Sequence, residues 1–251
     1  MLDQTFHTPL PLDLEVVIPS GSIEIETVEG EESHVTVEGD ERLLAEVEIR
    51  QDGNRIVVAF RGKAKFGLSI APFGLVWDSK LKVRDSIPHG AGVKLKAVSA
   101  DTRIDGRIGS FEANSVSGDI RVRGEITGSA SLKTVSGDAE LPSVGGGLTL
   151  QSVSGDLRVA GVKGSAETKS VSGDIRIGSV SAGDVRFTSV SGDIEVGIAQ
   201  GSSVDVDAGS TSGDLSSEVP LASEPGATGS GPTVVVRGRT VSGDVKVSRA
   251  G

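Results

Sequence analysis

The sequence predicts an all-β chain wound as a parallel β-helix (a β-solenoid) of about eight rungs, with 18–19 residues per rung. Three observations carry that expectation. The tetrapeptide Val-Ser-Gly-Asp recurs at Val116–Asp119, Val135–Asp138, Val153–Asp156, Val171–Asp174, Val190–Asp193 and Val241–Asp244, with near copies at Val98–Asp101 and Thr211–Asp214. The residues after each corner alternate apolar and polar, as a strand with one buried face requires. Composition agrees: 35 glycines against nine prolines fit many tight turns between short strands.

Each repeat reads as two strands and a short third side. The inward positions after the corner are Ile120/Val122, Ala139/Leu141, Leu157/Val159, Ile175/Ile177, Ile194/Val196 and Val245/Val247. A second alternating segment leads into each corner, as at Phe111/Ala113, Leu148/Leu150 and Val185/Phe187. Between them lies a glycine-bearing bend with one aliphatic residue: Ile108, Ile126, Val144, Val162 or Val180. No repeat can bury its own apolar stripe. Stacked at roughly 4.8 Å per rung, each covers its neighbours. The rule for parallel crossovers favours a right-handed coil, whereas about 18 residues per turn also suits left-handed hexapeptide helices, so handedness stays open.

The expected organisation has two parts. Residues 1–95 form acidic, degenerate β rungs: Leu12–Val16 alternates, Pro19–Ile25 echoes the corner, and strands are expected at Val35–Glu38, Val47–Arg50 and Arg55–Phe60. Leu43–Ile49 has a short helix as its alternative. Within this part, residues 63–80 form an aromatic loop with Phe66, Phe73 and Trp77, which is either a cap on the open end of the stack or a partner-binding segment. Residues 96–251 form the regular solenoid, interrupted by a flexible Ser/Gly/Pro-rich loop at 216–232. Because the chain stops soon after the last corner, its final strand is expected to be an open end of the stack.

Charge and cysteine content narrow the function. The net charge of −10 lies at one end, since residues 1–50 hold thirteen acids against Arg42 and Arg50. That distribution argues against nucleic acid as a partner. There is no cysteine, so disulfides and thiolate metal sites are excluded. The first residues lack a basic segment followed by an apolar run, and no stretch approaches the length of a spanning helix. The expectation is a cytoplasmic protein that meets the cell envelope, if at all, through a partner.

The glycine of each corner suits a positive φ, and the serine and aspartate can bond turn amides. Gly118, Gly137, Gly155, Gly173, Gly192, Gly213 and Gly243 are therefore read as structural, together with Asp119, Asp138, Asp156, Asp174, Asp193, Asp214 and Asp244. Stacked acids could in principle collect calcium, or at about 5 Å act as a glycosidase pair. Every rung carries the same corner, however, so none is marked as an active site. Two residues beyond each corner stand Arg103, Arg121, Glu140, Arg158, Arg176, Glu195 and Lys246. Their main reading is a solvated salt-bridge lattice; Arg121, Arg158 and Arg176 are also candidates for binding a flat polyanion or glycan. His7, His34 and His89 have no ligand spacing, and no nucleophile elbow or phosphate-binding loop is present.

The Ser-Gly-Asp ladder, the acidic N-terminal strands and the Ile87-Pro88-His89-Gly90 stretch before it resemble a bacterial family of adhesin-like proteins, domain of unknown function 4097, related to the toast-rack domains. The resemblance spans nearly the whole chain. It implies a β-solenoid, an adhesin-like role and an association of related modules with membrane-stress systems, and it carries over no catalytic residue. The resulting expectation is a non-enzymatic binding or scaffolding module without cofactors. It would act on a protein partner in assembly or envelope stress and self-associate through the ends of the solenoid. The alternative is a carbohydrate-active β-helix lyase or hydrolase.

Overall fold

An alternating strand hides its apolar side only when identical strands stack on it, and the computed structural model shows that stacking throughout. It describes residues 1–62, 80–218 and 231–250. The N-terminal part contains strands β1 (Leu2–His7), β2 (Asp13–Val28) and β3 (Glu32–Glu38), a single helical turn α1 (Glu41–Leu44), then β4 (Val47–Asp52), β5 (Arg55–Phe60), β6 (Leu81–Pro88) and β7 (Gly92–Ile108). After β7 the repeats alternate short strands: β8 (Phe111–Asn114), β9 (Ile120–Ile126), β10 (Ala130–Thr134), β11 (Ala139–Val144), β12 (Leu148–Ser152) and β13 (Leu157–Val162). They continue as β14 (Ala166–Ser170), β15 (Ile175–Val180), β16 (Gly183–Ser189) and β17 (Ile194–Ile198). The last four are β18 (Ser203–Ser212), β19 (Leu215–Ser217), β20 (Thr233–Ser242) and β21 (Val245–Arg249).

From β7 to β17, each strand pairs in parallel with the equivalent strand of the next repeat, 18 or 19 residues on. The expected inward positions form continuous files. Ile120, Ala139, Leu157, Ile175, Ile194 and Val245 follow one another at 4 % exposure or less. A facing file alternates large and small as Phe111, Ala130, Leu148 and Ala166, so successive rungs interdigitate. The aliphatic residues of the bend, Ile108 to Val180, close the third side.

Both ends of the stack depart from chain order. At the N-terminal end, β2 pairs in parallel with β7 on one side, and on the other with β5 along Asp13–Val17 and β6 along Gly21–Val28. Ser20, Gly21 and Ser22 lie opposite Ser99, Ala100 and Asp101, so the echoed corner is a true corner, and Gly21 has φ +130°. β2, β5 and β6 thus behave as degenerate rungs. β1, β3 and β4 do not: β1 pairs antiparallel with β3, β3 with β6, and β4 with β5. The cause is local for β4 and β5, where Asp52 and Arg55 face each other across Gly53-Asn54, a two-residue hairpin turn that can only reverse the chain. Of the segment 43–49, Val47–Ile49 is strand, with the one helical turn just before it.

At the C-terminal end, β16 and β17 pair with β20 and β21, and β18 and β19 lie outside those. The last strands of the chain are therefore slotted inside the stack, and the outermost rung among the described residues is β18–β19. This corrects the expectation of an open end at the final strand. The 216–232 loop begins later than expected, since Ser216 and Ser217 still pair with Lys246 and Val247; residues 219–230 lie outside the described residues.

Candidate functional site

The corners turn on glycine for two reasons. Gly155 has φ +114°, and a Cβ there would stand 2.3 Å from the carbonyl oxygen of Gly137 in the rung below. The same approach, at 2.3–2.4 Å, recurs at Gly118, Gly137, Gly173, Gly192, Gly213 and Gly243. The backbone of each corner sits directly on the backbone of the next, and a side chain would part them.

The aspartates lock that stacking. The amide of Asp119 donates to Asp101 Oδ1 (3.1 Å), Asp138 to Asp119 (3.2 Å), Asp156 to Asp138 (2.9 Å), Asp174 to Asp156 (3.1 Å) and Asp193 to Asp174 (2.9 Å). The ladder then follows space, not sequence: Asp244 donates to Asp193 (2.8 Å) and Asp214 to Asp244 (2.9 Å). Each carboxylate thus satisfies one amide of the following rung and offsets repulsion from the next carboxylate. A hydroxyl just before the valine completes the corner. Ser115, Thr134, Ser152, Ser170, Ser189 and Thr240 are buried and donate to the carbonyl of the corner serine at 3.0–3.1 Å. The working motif is therefore Ser/Thr-Val-Ser-Gly-Asp. The extra hydroxyl is visible in every complete copy of the sequence, and four-residue matching passes over it.

Three faces are left for contact. On the first, Arg103, Arg121, Glu140, Arg158, Arg176, Glu195 and Lys246 form one column. Arg121 and Arg158 each donate to the corner aspartate two residues earlier at 2.9 Å, and Arg176 to Glu195 at 2.5 Å. The three candidate arginines share a face, interrupted by Glu140, and each is engaged with an acid. On the second, a groove of about 530 Å³ runs across β8, β10, β12, β14 and β16, lined in part by Ser129, Ser165, Glu112, Glu167, Asp184 and Arg186. A hydrogen bond from Lys94 holds Glu112 below the usual carboxylate range, and one from Lys169 does the same for Glu167.

The third face is a surprise. Corner valines Val116, Val135, Val153, Val171, Val190 and Val241 point into solvent, each 46–53 % exposed. Phe66, Phe73 and Trp77 lie outside the described residues. His7 and His34 lie on the paired strands β1 and β3, two positions apart in register; His34 contacts Thr5 and Asp3, His7 faces Glu31 at 3.9 Å, and His89 bonds Thr27 at 2.6 Å. Among the described residues no three His, Cys, Asp or Glu side chains are grouped to hold a metal ion. One buried acid was not anticipated: Asp85, 3 % exposed, with no hydrogen-bond partner for either oxygen. Its clue is an acid at an inward position of the alternating run Leu81–Ile87.

The sequence matches the model of the Toastrack family, DUF4097, over residues 12–248. The chain belongs to this family. Its Toastrack solenoid is similar to a crystal structure from Bacteroides fragilis described as a "putative adhesin", with 14 % identity and a TM-score of 0.56, covering 98 % of this chain and 96 % of that one. A "putative adhesin" and a "putative lipid binding protein" from Parabacteroides distasonis match over the same shares, at 15 % and 12 % identity with TM-scores of 0.54 and 0.53. At these identities the likeness is one of fold. No curated protein matches the Toastrack chain.

Proposed function

We propose that this Toastrack solenoid is a non-catalytic, adhesin-like binding module that presents its long side faces to a protein partner in envelope assembly or stress signalling. The observation that carries the reading is the aspartate ladder. The acids that repeat along the molecule are committed, one per rung, to holding the next rung's amide. Two of the groove's three acids, Glu112 and Glu167, also suit binding better than proton donation. A glycosidase needs one carboxyl with a raised pKa as proton donor, whereas Glu112 and Glu167 are both pushed down by lysines. The adhesin names on structurally similar proteins point the same way.

Purified protein incubated with a panel of polysaccharides and esters, with and without calcium, is expected to show no turnover. Reproducible turnover that disappears in Glu112→Gln or Glu167→Gln would replace this reading with the carbohydrate-active enzyme. Affinity capture from the native cell, followed by fractionation of what is captured, is expected to yield an envelope-associated protein.

A further inference from the structure

The exposed valines form one straight ridge. Val116, Val135, Val153, Val171, Val190 and Val241 occupy equivalent corner positions, and the amide of each following serine bonds the carbonyl of the valine below, as in Ser136 to Val116, Ser154 to Val135 and Ser172 to Val153. At one rung per step the ridge is about 24 Å long. Nothing in the corner calls for an apolar side chain there. The turn is made by glycine, the amide is held by aspartate, and the hydroxyl before the valine bonds the corner carbonyl. A continuous file of half-exposed β-branched residues costs contact with water at every rung, and such patches mark surfaces that another molecule covers.

The ridge is bordered by opposite charges. Two residues before the valines runs the file Lys96, Asn114, Lys133, Gln151, Lys169, Thr188 and Arg239, which contains no acid. Three residues after them runs the aspartate file from Asp119 to Asp193 and on to Asp244, which contains no base. Within the chain Lys96, Lys169 and Arg239 pair with Glu15, Glu167 and Asp207, and Asp119 and Asp156 with Arg121 and Arg158. Among the described residues, Lys133 on one flank and Asp138, Asp174, Asp193 and Asp244 on the other are left to make an apolar ridge with oppositely charged flanks complementary to a copy of itself.

We infer that the valine ridge is the contact between two copies of this chain, packed side by side with their ridges parallel. The geometry follows from the charges. A two-fold axis in the contact plane can run along the ridge or across it. Along the ridge, rotation exchanges the flanks, so the basic file of each copy meets the acidic file of the other. Across it, basic would face basic and acidic would face acidic. The axis along the ridge also brings each valine against its own counterpart. This contact goes beyond the proposed binding function, because its valines belong neither to the arginine column nor to the groove lining.

The native chain has no cysteine, which makes cross-linking decisive. Val116→Cys, Val153→Cys and Val190→Cys are prepared singly and mildly oxidised. All three are expected to run as dimers on non-reducing gels, because each position meets itself. Linking at only one of the three overturns the parallel arrangement. Sedimentation of the wild type at about 100 μM is expected to give a dimer that weakens as salt rises. The double variant Val135→Glu/Val171→Glu should dissociate at least tenfold more readily, with an unchanged circular dichroism spectrum because both sites face solvent. Lys133→Glu/Lys169→Glu should weaken the dimer as well. A strictly monomeric wild type, or a dimer indifferent to the valine substitutions, sinks the proposal; the latter would move self-association to the outer edge of β18–β19.

Discussion

Asp85 is an acid placed where the alternation of β6 calls for an aliphatic residue, between inward Val83 and Ile87. Desolvation pushes its pKa from 3.8 to about 8. In the unfolded chain it ionises near the lower value, so between about pH 4 and pH 8 the folded protein holds a proton that the unfolded chain has lost. Stability from this residue is full below pH 4 and falls as pH rises through that window, by at most about 1.4 kcal/mol per unit. Glu15 and Glu24 act oppositely and lower down, since hydrogen bonds from Lys96 and Lys82 depress them; their contribution is lost as pH falls below about 4.5. Urea melts at pH 5.5 and pH 7.5 should therefore show the wild type less stable at the higher pH, with most of that difference gone in Asp85→Asn. An unchanged pH dependence in the variant would mean that Asp85 reaches solvent. A second comparison at this scale separates corner from face. Gly155→Val forces a branched residue to φ +114° against the Gly137 carbonyl, and should cost about 3 kcal/mol or more. The outward Arg158→Ser should cost under about 1 kcal/mol.

At the scale of the single rung, the aspartate ladder and the packing between rungs set what each strand tolerates. Asp156→Ala removes the acceptor of the Asp174 amide and should cost about 1 kcal/mol in urea melts. Asp156→Asn keeps an oxygen in the same place and should stay close to the wild type. If the asparagine variant were the worse of the two, the charge itself, and with it a cation site, would be the reason for the file. Phe187 makes the complementary point about packing. It lies opposite Gly238 in the neighbouring rung, where a Cβ would approach its ring to 2.5 Å. Gly238→Ala should destabilise the protein, and adding Phe187→Leu should recover part of the loss. Much of this was legible in the sequence, because a solenoid repeats one solution: the inward files, the third-side aliphatics and the glycine corners follow directly from period and alternation. The valine ridge was not. A valine beside a turn reads as inward by composition, and only the turn geometry shows that it faces solvent. Asp85 escaped because an acid breaks the apolar pattern by which a half-buried strand is recognised, although Leu81, Val83 and Ile87 place its position inward.

For the whole molecule, the stacking order is the property least available from sequence. Near-identical corners fit one another in any order, so the repeat itself does not say which rung neighbours which. The aspartate ladder resolves it, passing from Asp193 to Asp244 and only then to Asp214. The 30-residue gap between the last two corner aspartates is thus the path of a chain that builds the outermost rung first and returns to fill the layer beneath it. Local stability should follow position in the stack, because amides at an open edge exchange by small openings while those between two rungs need a larger one. β20 is paired on both sides, with β16 and β18, whereas β18 is paired only with β20 among the described residues. Hydrogen exchange read by mass spectrometry should therefore find peptides covering 234–247 more slowly exchanging than peptides covering 203–217, although the former end the chain. A stack in chain order predicts the reverse, with protection falling steadily toward residue 250. Slow exchange throughout 203–217, equal to that of 234–247, would place a further layer on the β18–β19 edge and make that edge a contact surface in its own right.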